Sequence, residues 1–216
     1  MALDGAILAN LASGWPQSGA RLGERMTNNA DVGIERIREV LPEISRIEDA
    51  KLSDAVARIW LRAWRSSAWA ELASVPKSVD LPAKRTLVTH TSAVARIAGH
   101  MVDVLAPAHG LTISKDRTLA IALLHDVSKV AEFEQSPSGA RASRAGRLYQ
   151  HGFLGAHWME DEGLDEELVH GVLAHTPVSA VVPQTHEAVI VHYADFADSD
   201  VQLLDAGQRL FCKRRA

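Results

Sequence analysis

A single cysteine, Cys212, is all that the 216 residues contain, so an intrachain disulfide and a cysteine-based zinc cluster are both excluded. The cytoplasm is the compartment expected from such cysteine usage. Aromatic residues are scarce too, at 5% of a chain that is 47% hydrophobic, and runs of Val, Ile, Thr or Tyr are few. That balance favours helices over sheets, and an all-α protein is expected. Charge of one sign is also lacking: 23 Lys and Arg stand against 27 Asp and Glu, a net of -4. No bulk attraction to a phosphate backbone follows from it, so nucleic acid is not the favoured partner and any such contact must be local. No apolar run reaches the roughly 18 residues that a membrane span requires, and the short apolar stretch at the start holds Asp4 and no basic leader. Neither membrane insertion nor secretion is expected.

Helical periodicity organises most of the chain. Residues 1–30 mix Gly, Asn, Ser and Pro without a clear period and read as a loose lead-in. From Asp31, a candidate cap, Ile34, Ile37, Leu41, Ile44 and Ile47 recur at helical spacing, with Pro42 ending or bending the helix. A second stripe, Val56, Ile59, Trp60, Ala63 and Trp64, follows the candidate cap Ser53 and runs toward Pro76 and Pro82. Leu87, His90, Thr91, Val94, Ile97, Ala98, Met101 and Leu105 share a face of a helix that should stop at Pro107 and Gly110. Ser114 caps a segment running through Leu119, Leu123 and Leu124 into His125 and Asp126. Residues 135–146 read as a loop, before a helix holding Leu148, His151, Leu154, Gly155 and Trp158. A short helix from Asp165 to His175 ends at Pro177, and another begins near Thr185 and carries Val189, His192, Asp195 and Phe196. The expected division is an N-terminal helical extension over 1–80, a catalytic helical domain over 81–205 and a tail over 206–216.

Ten histidines stand out in a chain otherwise poor in unusual residues. His90, His125 with Asp126, His151, His175 and Asp195 come from separate segments, each on an otherwise apolar face. Polar groups buried there need partners. Imidazole and carboxylate ligands suit divalent Fe, Mn, Co, Ni or Zn, and a carboxylate can bridge two such ions. Paired ions about 3.5 to 4 Å apart suit in-line displacement at phosphorus, which makes a dinuclear site a sensible reading. Any one of these histidines alone is more simply a hydrogen-bonded core or surface residue; the ordered set carries the metal reading.

The order His90, His125-Asp126, Asp195 resembles the H, HD, D series of the HD phosphohydrolase superfamily. The run Leu123-Leu124-His125-Asp126-Val127-Ser128-Lys129 is similar to its second motif, with a lysine three positions after the aspartate. His151-Gly152-Phe153-Leu154-Gly155-Ala156 and His175-Thr176-Pro177 resemble the additional histidine motifs of dinuclear members, including HD-type symmetrical dinucleoside tetraphosphate hydrolases. The stretches Gly146 to His151 and Glu187 to Asp195 also resemble the HD part of bacterial 3'-to-5' exoribonucleases. Those nucleases tend to carry a double histidine where this chain has His175-Thr176, and no β-rich nucleic-acid-binding domain precedes the HD part here. The resemblance implies an HD-domain helical bundle over about residues 85–200. It further implies one ion on His90, His125, Asp126 and Asp195, a second on His151 and His175, Asp126 as the bridge and a metal-activated water as nucleophile. Lys129 would contact a substrate phosphate.

Arg141, Arg144 and Arg147 recur every third residue before His151 and are candidates for a phosphate-gripping loop, although a solvated face is the simpler account. Glu132 and Glu134 follow the motif closely and are candidates to orient a ligand or the loop, although exposed solubility charges are the simpler account. His157 and His192 read as packing or supporting residues, and Trp60, Trp64 and Trp69 as packing anchors or a dimer surface. Lys213-Arg214-Arg215 reads as a solvated tail. The leading expectation is metal-dependent hydrolysis of a phosphoester or phosphoanhydride in a phosphorylated, nucleotide-like small molecule. Its rivals are a di-iron oxygenase reaction at the same ligand set, a 3'-to-5' exoribonuclease and a non-catalytic nucleotide sensor. A homodimer is compatible with the sequence.

Overall fold

A computed structural model describes residues 33–79, 85–176 and 179–213. The expectations for residues 1–30, the cap Asp31, Pro82, Pro177 and the Arg214-Arg215 tail lie outside them. The described chain is helical apart from one short hairpin.

The helix α4 (Lys115–Leu124) sits at the centre, because Thr118 to Leu124 are all buried and the helix is apolar on every side. Ser114 caps it as expected, accepting from the Arg117 amide. Around it pack α3 (Leu87–His109), α8 (Glu166–Ala174), α9 (His186–Asp205) and α2 (Ala50–Arg65). At α8 the approach is close, with Gly171 facing Ile121. On the other side α2 drives Trp60 into the core, where its indole N–H donates to the Leu123 carbonyl at 2.9 Å. That bond ties the N-terminal helices to the turn that carries His125. Trp64 and Trp69 are buried as packing anchors too, donating to the carbonyls of Trp69 and Phe133.

Several boundaries differ from the sequence expectation for local reasons. The first helix, α1 (Ile34–Val40), stops before Pro42, and the chain continues as a 3-10 turn over Pro42–Arg46, so the Ile44 and Ile47 positions belong to that turn and its exit. Asp49, not Ser53, caps α2, accepting from the Lys51 and Leu52 amides, while Ser53 is buried one turn inside. Pro107 lies within the last turn of α3 instead of ending it, and Gly110, at φ 63, closes the helix.

The segment 135–146 is not a loop. Residues of α5 (Lys129–Glu132) lead into β1 (Phe133–Ser136), which pairs antiparallel with β2 (Gly139–Ala142), and α6 (Arg144–Leu148) follows. The helix expected to hold both Leu148 and Trp158 is split into α6 and α7 (Phe153–Asp161). Gly152, at φ 86, makes the turn between them, and His151 stands on that turn. No described helix is long and apolar enough to cross a membrane.

Candidate metal centre

Two of the histidines are placed by the same local device. His125 and His175 are the C-cap residues of α4 and α8, and each Nδ1 meets a carbonyl three residues back in its own helix: Ala122 at 2.7 Å and Val172 at 2.5 Å. The last turn of a helix has spare carbonyls, and here each satisfies an imidazole instead of water. The Nε2 of each ring is thereby left with its lone pair facing away from the helix. His192, one turn before Asp195 on α9, holds the His175 carbonyl at 2.8 Å and so supports that cap without reaching the centre.

His90 and His151 reach the same state with carboxylates. His90 Nδ1 lies 2.6 Å from Asp198, which is itself held by Arg85 at 2.6 Å and Gln202 at 3.1 Å. His151 Nδ1 lies 2.8 Å from Glu132. Thus all four rings spend Nδ1 on an acceptor and turn Nε2 to one centre, the arrangement in which a protein fixes tautomer and orientation of metal-ligating histidines.

Asp126 occupies the middle and divides its two oxygens. Oδ2 lies 3.3 Å from Nε2 of both His90 and His125, whereas Oδ1 lies 3.0 Å from His151 Nε2 and 3.6 Å from His175 Nε2. Oδ1 is buried without a well-aligned hydrogen bond, an orphaned anionic oxygen of the kind that a cation would satisfy. Asp195, from α9, brings Oδ1 to 3.2 Å from His90 Nε2 and 4.0 Å from His125 Nε2. Three overlapping groups of donor atoms result: His90, His125 and Asp126; His125, His175 and Asp195; Asp126, His151 and His175. Their chemistry, imidazole and carboxylate, fits the divalent transition metals. The six side chains singled out in the sequence therefore converge.

The electrostatics of the metal-free centre fit the same reading. Burial alone would lower the His90 and His151 imidazoles, but neighbouring carboxylates outweigh it and push both up to about 9. Asp126, Asp195 and Asp198 supply the pull on His90, and Asp126 and Glu132 that on His151. His175, fully buried and with less carboxylate support, is instead pushed down by burial. Burial would raise Asp126 and Asp195, yet Lys129 and His125 hold the first, and His90 the second, well below the usual carboxylate range.

Lys129 donates to Asp126 Oδ2 at 2.6 Å, so the lysine of the sequence motif is at the centre. The three arginines are less intimate. Arg141 is exposed on β2 and paired with Glu134 at 2.8 Å, Arg144 is exposed at the start of α6, and Arg147 donates to the Ala142 carbonyl. Among the described contacts none touches the six converging side chains. His157 is exposed on α7, near Asp161.

Three supporting groups were misjudged or not seen in the sequence. Glu132, for which an exposed charge was the simpler account and a ligand-orienting role the alternative, is 7% exposed and holds His151; the close pass of α6, where a Cβ on Gly146 would strike the Glu132 carbonyl, keeps its backbone in place. Asp198 lies three residues after Asp195 on the same helix face, a spacing that could have drawn attention. Lys77 comes from before α3: its ammonium donates to Ser199 and lies 4.0 Å from Asp195 Oδ1. An isolated bridge between Pro76 and Thr86 brings it there, and no local pattern announces it.

A helical bundle with this histidine and aspartate centre defines a class, and comparison with known families gives its name. The HD domain family matches residues 87–199, more than half of the chain, and the chain belongs to this superfamily of metal-dependent phosphohydrolases. A curated relative, the dihydroneopterin 2',3'-cyclic phosphate phosphodiesterase of Methanocaldococcus jannaschii, is 33% identical over 116 residues, 53% of this chain and 47% of the relative. The chain thus spans about half the length of the relative it matches. No solved structure matches it significantly.

Proposed function

We propose that this chain hydrolyses a phosphoester bond in a nucleotide-like small molecule, using two divalent ions bridged by Asp126. The observation that carries the reading is the split carboxylate: Asp126 gives Oδ2 to the His90 and His125 pair and Oδ1 to the His151 and His175 pair. Asp195 completes the first set, beside His90. Ions bound there would supply positive charge at phosphorus and an activated water.

The chain's own groups have separable tasks in that reaction. Asp198 and Glu132 hold the rings of His90 and His151, so that ligand geometry is set before substrate arrives. Lys129 neutralises Asp126 and offers a compact positive charge to a non-bridging phosphoryl oxygen. Hydrolysis forms one bond from water oxygen to phosphorus and breaks one ester bond, with a proton passing to the departing oxygen. The relative's activity on a 2',3'-cyclic phosphate makes small cyclic phosphodiesters the first substrate class to try.

The test is metal analysis of protein purified without chelator, followed by an anaerobic substrate screen over cyclic phosphodiesters, mononucleotides and dinucleoside polyphosphates. Products are separated by chromatography, because opening a cyclic diester frees no inorganic phosphate. About two divalent ions per chain and turnover without oxygen are expected. Turnover only in the presence of oxygen would replace the reading with the di-iron oxygenase one.

A further inference from the structure

We propose that Lys77, which lies before the segment shared with the HD family, is a second phosphate-binding residue that works beside Lys129 at the open rim of the metal centre. The inference rests on the phosphohydrolase reading and specifies which groups of this chain receive the phosphoryl oxygens.

The exposure of the side chains defines the rim. His90, His125, Asp126 and His175 are 0–2% exposed, whereas Lys77 is 11%, Asp195 14%, Lys129 15% and His151 20% exposed. Solvent, and therefore substrate, meets the centre where the two lysines and these two candidate ligands lie. The lysines are anchored to different carboxylates of one centre: Lys129 on Asp126 Oδ2, and Lys77 toward Asp195 Oδ1. Both oxygens lie close to His90 Nε2, at 3.3 and 3.2 Å.

The partnering of Lys77 is what points to a ligand. An ammonium has three donors. Among the described residues one of them goes to the Ser199 hydroxyl, and the nearest carboxylate, Asp195, is at 4.0 Å, beyond hydrogen-bond range. A nearly buried ammonium with one hydrogen bond is an expensive arrangement unless a further anion arrives. A purely structural lysine could pair directly with Asp195 or Asp198. Asp198 is instead taken by Arg85 and His90, and Asp195 accepts from Ser199 at 3.1 Å. The spare donors and the open rim together fit a non-bridging phosphoryl oxygen, of substrate or of free phosphate.

Manganese-loaded wild-type protein, Lys77→Met, Lys77→Arg and Ser199→Ala are compared by titration calorimetry with inorganic phosphate, with bound manganese counted and melting temperature recorded for each. A hydrogen bond to a charged group is worth about 1.5 to 3 kcal/mol, so Lys77→Met should weaken phosphate binding about 10-fold or more while manganese content stays at the wild-type level. Lys77→Arg should stay within a few-fold of wild type, since it keeps the charge. Ser199→Ala removes the hydroxyl that holds the ammonium, and its link to Asp195, but keeps the charge, so it should weaken phosphate binding by less than Lys77→Met does. The proposal is overturned by unchanged phosphate affinity in Lys77→Met, by loss of manganese together with phosphate, or by Ser199→Ala reproducing the whole defect. A loaded wild-type protein that neither binds phosphate nor hydrolyses any phosphoester overturns the parent reading itself, an outcome distinct from a wild type that binds phosphate regardless of Lys77.

Discussion

Replacing Glu132 tests whether a carboxylate one step removed from the centre governs it. Its Oε2 lies 2.8 Å from His151 Nδ1, and its Oε1 3.4 Å from the Gly152 amide. Partners of this kind typically contribute 10- to 100-fold to metal affinity, which is about 1.4 to 2.7 kcal/mol at about 1.4 kcal/mol per tenfold. A charge-assisted hydrogen bond of about 1.5 to 3 kcal/mol gives the same range independently. Glu132→Gln keeps the shape and a neutral acceptor, so it should cost about 10-fold, and Glu132→Ala about 100-fold, since charged hydrogen bonds are roughly twice as strong as neutral ones. Protons oppose part of this loss. His151 is pushed up to about 9 in the metal-free chain by Asp126 and Glu132 against burial, and deprotonating such a group at pH 8 costs roughly 1.4 kcal/mol. Without Glu132 the imidazole is easier to deprotonate, so the defect should be smallest near pH 7 and grow toward pH 9. Competition for manganese with a chromogenic chelator, over that range, reads it directly. Unchanged affinity, or a loss that does not vary with pH, would refute the reasoning.

Asp126→Ala should abolish both metal binding and turnover, because the shared anion that offsets repulsion between two cations is gone; His175→Ala should lose about half of the bound metal, and elemental analysis distinguishes the two. Melting temperatures of chelator-treated protein should fall between pH 6.5 and 9. His90 and His151 hold protons in the fold up to about 9 but only to about 6.5 when unfolded, so their contribution is complete below pH 6.5 and lost as pH rises through 9. Metal-loaded protein should show a smaller fall or a rise, since ions replace those protons, and parallel curves would contradict the assignment. If Arg141, Arg144 and Arg147 grip substrate, their combined replacement by Ala should raise KM several-fold with metal content intact; unchanged KM assigns them to the solvated face. Gly171→Ala places a Cβ 2.6 Å from Ile121 Cδ1; overpacking of about 1 to 3 kcal/mol should lower Tm by several degrees, with wild-type manganese content at room temperature.

The parts of this protein that a sequence reveals are those with local causes. The α4 run ends in His125-Asp126 because an all-apolar helix must be central and its polar end must have a purpose. The cap Ser114 and the helix starts at Asp165 and near Thr185 are legible for similar reasons, and all three side chains accept from amides two or three residues on. The hairpin was hidden because Pro137 and Gly139 are turn residues in either a loop or a hairpin, and four-residue strands leave little alternation to detect. His151 was assigned to a helix because apolar residues flank it on both sides, while Gly152, the residue that breaks the helix there, reads equally well as a tolerated glycine. Glu132 was ranked as an exposed charge and Lys77 was missed because their meaning lies in partners 19 and 122 positions away. Charge on a surface and charge on a buried imidazole look identical in one dimension.

Charge also explains why the centre is built with supports of both signs. Asp126, Glu132, Asp195 and Asp198 bring four negative charges together in buried or nearly buried positions, an arrangement that is costly without compensation. Lys77, Lys129 and Arg85 compensate three of them. In the metal-free chain the remaining deficit falls on His90 and His151, which is why both rise to about 9 while His175, with weaker carboxylate support, is lowered by burial. Two divalent ions at the same positions, as proposed, would displace those protons and carry more charge than the carboxylates require. The loaded centre would then be net positive, with its surplus beside Lys77 and Lys129. On the phosphohydrolase reading, two ions there would turn a site nearly balanced with protons into a positive one, which favours an anionic phosphate and the activated water that attacks it.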